Sequence, residues 1–347
     1  MSELRKDPVV GRWVIICPNR AERPNAFIRP APRERSGPCP FCAGHEGQTP
    51  AEVFAFRGPD AQPDGPGWRV RVVPNQFPAL DGRGGVGRWR EGLYQLIEGT
   101  GAHEVIIESS RHVMSTSDLS VEELAEVFSA YRQRLRHWKQ DPRLRYGLVF
   151  KNVGPEAGAS MEHTHSQLIV TPLVPVQVLE EISGALEFYH QHGRCVYCQI
   201  VSQERESGRR LVLETPRFVA VSAFAARFPF ETWVLPKEHG SCYEDMPEAE
   251  LHELAAIFRR LIVEIEAVAP RVAYNYILHT APFDTAAALH YHWHIEVIPS
   301  LTRAAGFEMG SGFFVNPVPP EEATLRLRQV DREKGTGTFC AKHPKGR

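Results

Sequence analysis

Two stretches of this chain carry the same chemistry in the same order, and that duplication limits the possible folds more than any other property of the sequence. The first runs from Cys39-Pro40-Phe41-Cys42 through His112 and a helical segment to His163-Thr164-His165-Ser166-Gln167. The second runs from Cys195-Val196-Tyr197-Cys198 through His239 and another helical segment to His292-Trp293-His294-Ile295-Glu296. His112 and His239 are 127 residues apart, and His163 and His292 are 129 apart. Spacings that agree this closely argue for two copies of one unit.

Local patterns give that unit a shape. Over residues 117–140, Ser120 and Glu123 have the spacing of a capping box, and Leu124, Val127, Phe128, Tyr131 and Leu135 recur every three or four residues. That pattern predicts an amphipathic helix. Leu251, Leu254, Phe258, Leu261 and Ile262 predict its counterpart over about 247–267. Strand-like runs at 51–57, 68–73, 103–108 and 146–150 precede the first histidine motif, and runs at 210–214, 218–222 and 274–278 precede the second. The expected class is α/β in the α+β sense: two tandem repeats, each a mainly antiparallel sheet with a long helix packed on it. The expected domains are 1–185 and 186–330, with 331–347 as a tail. The Pro- and Arg-rich stretch 18–38 predicts a long loop or linker.

At 347 residues the chain has room for two such units. Its 42% hydrophobic and 24% charged residues describe a soluble globular protein, and its net charge of -2 gives no electrostatic case for nucleic acid or an anionic membrane. No apolar run approaches the roughly 20 residues that span a bilayer. The N-terminus shows no apolar signal region, so a cytoplasmic setting is expected. There, seven cysteines, an odd number, argue against a disulfide framework.

Each repeat offers two thiols and two imidazoles. Cys39, Cys42, His112 and His163 form one set, and Cys195, Cys198, His239 and His292 the other. A lone CxxC could equally be a redox pair. Two copies with matched histidines point instead to two closed, structural zinc sites, because zinc accepts Cys2His2 tetrahedrally. His290, His292 and His294 share one strand face by period two, and any of them could complete the second set; His292 is preferred because it mirrors His163. His45, His137, His190, His192, His252, His279 and His343 share no pattern and read as surface or capping residues.

His163, His165 and Gln167 would project together from a strand that continues through Leu168-Ile169-Val170. With His163 on a metal, His165 is left free on the same face. A neutral imidazole can attack phosphorus and leave again, splitting one displacement into two easier ones. Gln167 can donate to a non-bridging oxygen, while Gly158-Ala159-Ser160 can offer backbone amides and the Ser160 hydroxyl to the phosphates. His165, Gln167 and Ser160 are thus the candidate catalytic residues.

These residues, with Asn19-Arg20-Ala21-Glu22-Arg23-Pro24, Pro74-Asn75-Gln76-Phe77-Pro78, Lys151-Asn152-Val153-Gly154 and Gly306-Phe307-Glu308-Met309-Gly310, resemble the galactose-1-phosphate uridylyltransferase family. That family is the histidine-triad branch with two fused repeats. The resemblance implies that His165 becomes nucleotidylated and that nucleotide contacts fall on Asn75, Phe77, Asn152, Gly158, Ala159, Ser160 and Gln167. It also implies sugar contacts at Phe307 and Glu308, reached from a partner subunit in a homodimer. The family's HPHGQ stands here as HTHSQ, and its Tyr as Phe307. The segment Gly310 to Val318 looks more like a branch that also contains ADP-glucose phosphorylase.

The expected function is ping-pong transfer of UMP from UDP-glucose to galactose 1-phosphate through nucleotidyl-His165. The alternatives are phosphorolysis of ADP-glucose, with inorganic phosphate as acceptor, and a zinc-stabilised nucleotide-binding module without turnover. The partners expected are a nucleotide sugar and a hexose 1-phosphate.

Overall fold

The computed structural model describes residues 2–22, 38–82, 84–285 and 288–333, without the side chains of 331–333. Most of the Pro- and Arg-rich stretch, most of the tail and His343 lie outside the described residues.

In chain order, β1 (Glu3–Lys6) and β2 (Trp13–Ile16) precede the first repeat. That repeat comprises β3 (Phe54–Arg57), β4 (Trp68–Pro74), the hairpin β5 (Arg88–Glu91) and β6 (Tyr94–Ile97), β7 (Ala102–Ile107), α1 (Val121–Trp138), β8 (Tyr146–Val153) and β9 (His165–Thr171). A connecting helix, α2 (Val176–His192), leads to α3 (Val196–Ser207), which opens the second repeat. There β10 (Leu211–Glu214), β11 (Phe218–Ser222), β12 (Thr232–Pro236), α4 (Leu251–Val268), β13 (Tyr274–His279) and β14 (His294–Pro299) follow. Helix α5 (Gly306–Ser311), β15 (Phe314–Asn316) and α6 (Pro320–Glu333) end the described chain. The expected boundary after residue 185 falls inside α2.

The duplication is visible in the pairing. One ten-stranded sheet has the order β10-β11-β12-β14-β13-β8-β9-β7-β4-β3, so the strand sequence reads the same from either edge. Each repeat supplies five strands, and antiparallel pairing of β8 with β13 joins them, with Asn152 opposite Asn275. The two mainly antiparallel sheets expected from the sequence are therefore halves of one sheet. Helices α1 and α4 pack side by side on one face, where Phe128 and Phe258 meet edge to face at 5.4 Å. Their apolar stripes share a single core with inward residues of both halves, including Val149, Leu168, Val170, Tyr276 and Val297. That leaves the opposite side of β9 and β14 for polar chemistry, since successive strand residues alternate faces. A small sheet, β1-β2-β15, forms where β15 pairs in parallel with β2. Among the described residues no helix is long and apolar enough to cross a membrane.

Candidate functional site

Strand β9 begins at His165, so His163 lies just before it rather than within it. The two rings are nonetheless set by backbone carbonyls, and in opposite senses. His163 donates from Nε2 to the Ser109 carbonyl at 2.8 Å, which turns its Nδ1 lone pair toward the cysteines. His165 donates from Nδ1 to the His163 carbonyl at 2.8 Å, which leaves Nε2 as the bare, nucleophilic nitrogen. Burial lowers both rings, His163 to about 4, and both are neutral at physiological pH. Neutrality is what a ligand and a nucleophile both require.

His163 Nδ1 is 3.5 Å from Cys39 Sγ and 3.6 Å from Cys42 Sγ, and His112 Nδ1 is 3.3 Å from Cys42 Sγ. A tetrahedral zinc with bonds of about 2.3 Å to sulfur and about 2.0 Å to nitrogen sets those atoms about 3.5 Å apart. The ligand atoms all lie within 4.8 Å of one another, so the set can hold one ion. His45 donates from Nδ1 to the Cys39 carbonyl at 2.7 Å, bracing the cysteine turn. Phe41, inside that turn, packs its ring 5.3 Å from His165.

The second set has the same geometry. Cys198 Sγ lies 3.4 Å from His239 Nδ1 and 3.5 Å from His292 Nδ1, and Cys195 completes the group. Among the three candidate histidines, the structure brings His292 to the cysteines. It donates from Nε2 to the Pro236 carbonyl at 3.1 Å, as His163 does to Ser109. The cysteines sit differently, because Cys195 caps α3 whereas Cys39 and Cys42 lie in a turn.

Gln167 is organised by His103, which no sequence motif marks. His103 Nδ1 accepts the Ala79 amide at 3.2 Å, so its Nε2 carries the proton and donates to Gln167 Oε1 at 2.8 Å. With its oxygen taken, Gln167 has its NH2 available for a ligand. Asn75 Oδ1 accepts the Phe77 amide at 2.8 Å, and its Nδ2 lies 3.2 Å from the same His103 nitrogen, a contact between two donors in this tautomer. Phe77 is 83% exposed beside them. No local pattern marks His103, because its partners lie 24 and 64 residues away.

The turn expected to meet phosphate corrects one expectation. Gly158 has φ +86°, a left-handed conformation suited to glycine, and ends a short turn of 3-10 helix. Its amide donates to the Pro155 carbonyl at 3.0 Å, and that of Ala159 to the Gly154 carbonyl at 3.1 Å. Two of the three amides expected to face phosphate thus hold the turn closed. Ser160 is exposed, and among the described residues its amide and hydroxyl have no protein partner. Phe307 and Glu308 lie on α5, which packs against β15, and Glu308 accepts the Ala305 amide at 2.9 Å as a cap.

The equivalent place in the second repeat is a cavity lined by charged residues, among them Glu181, Arg227, Glu231, His279 and Glu296. His294 corresponds to His165 and stacks on His279, with centroids 4.4 Å apart and an interplanar angle of 5°. His279 is buried between Glu181 and Glu296, at 3.1 and 3.6 Å, which overturns its reading as a surface or capping residue. Burial alone lowers this ring, but the two carboxylates outweigh it and push it up to about 10. Glu296 stands where Gln167 stands in the first repeat, and Arg227 and Trp233 bind it at 2.6 and 3.1 Å. Glu181, His279 and His294 also lie within 4.8 Å of one another, but with His279 held charged by its carboxylates the group is an ion-pair network rather than a ligand set.

Comparison with known proteins agrees with this arrangement. Residues 1–175 match the family described as galactose-1-phosphate uridyl transferase, N-terminal domain, and residues 99–337 match a domain of unknown function (DUF4921). The chain is 36% identical over 335 residues to ADP-glucose phosphorylase of Arabidopsis thaliana, covering 94% of this chain and 93% of that protein. It is 28% identical over 342 residues to galactose-1-phosphate uridylyltransferase of Thermotoga maritima, covering 96% and 100%. The crystal structure of the Arabidopsis thaliana ADP-glucose phosphorylase with bound ADP-glucose superposes with a TM-score of 0.80 at 34% identity, over 95% of this chain and 99% of that one. A uridylyltransferase structure superposes with a TM-score of 0.75 at 29% identity, over 96% and 99%. The chain belongs to the histidine-triad nucleotidyltransferases, in the family that joins galactose-1-phosphate uridylyltransferases and ADP-glucose phosphorylases.

Proposed function

We propose that this nucleotidyltransferase is an ADP-glucose phosphorylase. The observation that carries the choice is its greater likeness to the Arabidopsis thaliana ADP-glucose phosphorylase, 36% identity against 28% for the Thermotoga maritima uridylyltransferase. His165 Nε2 attacks the α-phosphorus of ADP-glucose, and the bond to the β-phosphate oxygen breaks, releasing glucose 1-phosphate. An oxygen of inorganic phosphate then attacks the adenylyl-His165 phosphorus, the P–N bond breaks, and ADP leaves. His165 Nδ1 keeps its proton on the His163 carbonyl throughout, so the adenylated ring is cationic and departs as a neutral imidazole when the P–N bond breaks. The Gln167 and Asn152 amides, with Ser160, stabilise charge on the non-bridging oxygens. Asn75 and Phe77 meet the nucleoside. Zinc is the ion proposed for both Cys2His2 sets; in the first, Cys39, Cys42, His112 and His163 would hold it, and the His163 carbonyl orients His165. A homodimer, in a reducing cytoplasmic setting, brings Phe307 and Glu308 to the partner's sugar.

Incubation with ADP-glucose and UDP-glucose labelled in the α-phosphate tests this reading. The expected result is label on His165 from ADP-glucose, discharged as ADP by inorganic phosphate. Substitution His165→Gly should lower turnover by about a thousandfold or more. Preferential labelling by UDP-glucose with discharge by galactose 1-phosphate would instead establish uridylyl transfer, which the N-terminal family match supports. Binding of both nucleotide sugars without labelling would leave a non-catalytic module.

A further inference from the structure

Asn152 on β8 faces Asn275 on β13 across the seam between the repeats. Asn275 Nδ2 lies 2.8 Å from the Ala157 carbonyl oxygen and 2.7 Å from Asn152 Oδ1. A backbone carbonyl can only accept, so the Asn275 group beside it must be the NH2. The second hydrogen of that NH2 then requires an acceptor at Asn152, which fixes the facing atom as oxygen. Asn152 must therefore turn its own NH2 the other way. A Cβ built on Gly158 would sit 3.7 Å from that nitrogen, which places it at the phosphate turn. The start of the turn is seated on the same strand region: a Cβ on Gly154, at φ +82°, would come within 2.7 Å of Ala273 Cβ.

We propose that Asn275, a residue of the second repeat, is a positioning residue for nucleotidyl transfer in the first, holding the Asn152 carboxamide with its donor side toward phosphate. The proposal rests on the nucleotidyl-transfer reading above. Asn275 does for Asn152 what His103 does for Gln167, since each occupies the carboxamide oxygen and frees the NH2. Substitution Asn275→Ala releases Asn152 to rotate. Substitution Asn275→Asp sets carboxylate oxygens against the Ala157 carbonyl and Asn152 Oδ1, and a flip of Asn152 that relieves this turns its oxygen onto an anionic phosphate.

A double-mutant cycle over Asn152→Ala and Asn275→Ala decides the matter, read by the single-turnover rate of His165 labelling and by AMP affinity. Asn275→Ala should slow labelling about tenfold, and Asn275→Asp about a hundredfold. In the Asn152→Ala background, loss of Asn275 should change the rate by less than about twofold, because both act through one group. Equal slowing in both backgrounds, or wild-type labelling by Asn275→Ala, overturns the proposal. Should Asn275→Ala fail to fold, the near-isosteric Asn275→Asp enters the same cycle. Failure of the wild-type chain to label strikes the transfer reading alone; AMP affinity across the cycle still decides positioning, and an affinity unmoved by Asn275→Ala overturns it.

Discussion

Beneath the strand that carries His165, Lys151 and Glu108 pair in the core with side-chain exposures of 1% and 0%. Burial raises the Glu108 carboxyl, but Lys151 outweighs it and holds the group below its ordinary value. Thr164, between the two histidines, donates to the same carboxylate at 2.6 Å, and Tyr131 donates to its other oxygen at 3.0 Å. Replacing Lys151 with Met leaves a buried carboxylate without its cation, so the loss should be about 3–5 kcal/mol by urea denaturation. A loss below about 1 kcal/mol would show that Glu108 simply takes up a proton. The two Cys2His2 clusters were legible in the sequence because their chemistry is repeated at matched spacing. His103, His279 and Asn275 were not, since each matters only through partners on other strands.

The helices divide in the same way, according to how much of their sequence is written by burial. Helix α1 buries Leu124, Val127, Phe128, Tyr131 and Leu135, and α4 buries Leu251, Leu254, Phe258, Leu261 and Ile262, so both were readable as stripes. Helix α2 fully buries only Val178 and Ala185, which leaves no stripe to read. At the start of α1 the capping box is complete: Ser120 Oγ accepts the Glu123 amide at 3.2 Å, and Glu123 accepts the Ser120 amide at 2.8 Å. Substitution Ser120→Ala should cost about 1 kcal/mol, measured by chemical denaturation. Helix α6 is tied instead by charge, with Glu321 accepting from Arg5 at 2.9 Å and from Arg210 at 2.7 Å. Burial alone raises the Glu321 carboxyl, but these hydrogen bonds outweigh it and bring it down to about 2. A folded-state value depressed below that of the unfolded chain contributes stability above about pH 4.3, lost as pH falls toward 2. Melting temperature should therefore drop less between pH 5 and 2.5 in Glu321→Gln than in the wild type, and equal drops would remove Glu321 from the acid response.

At the scale of the whole molecule, the repeats have diverged in chemistry while sharing one framework. Each keeps a Cys2His2 set in which a strand-entry histidine donates to a backbone carbonyl. The second differs around the histidine that corresponds to His165: His294 stacks on a charged His279, and Glu296, where the first repeat has Gln167, is held by Arg227 and Trp233. The sequence showed two units, yet it could not show that β8 and β13 pair, because edge-strand pairing leaves no local periodicity. That pairing removes an exposed edge from each five-stranded half, and the α1 and α4 stripes bury each other across the seam. Neither repeat then retains its core when the other opens. Unfolding should be a single cooperative transition, despite the two-unit sequence. Variants that keep only Trp138 or only Trp233 report the first and second repeats separately, through fluorescence in urea. Coincident midpoints, matched by far-UV circular dichroism, are expected, and removing metal with a chelator should lower both together. Midpoints that separate, or a chelator effect confined to one probe, would mean that the seam is too weak to couple the repeats.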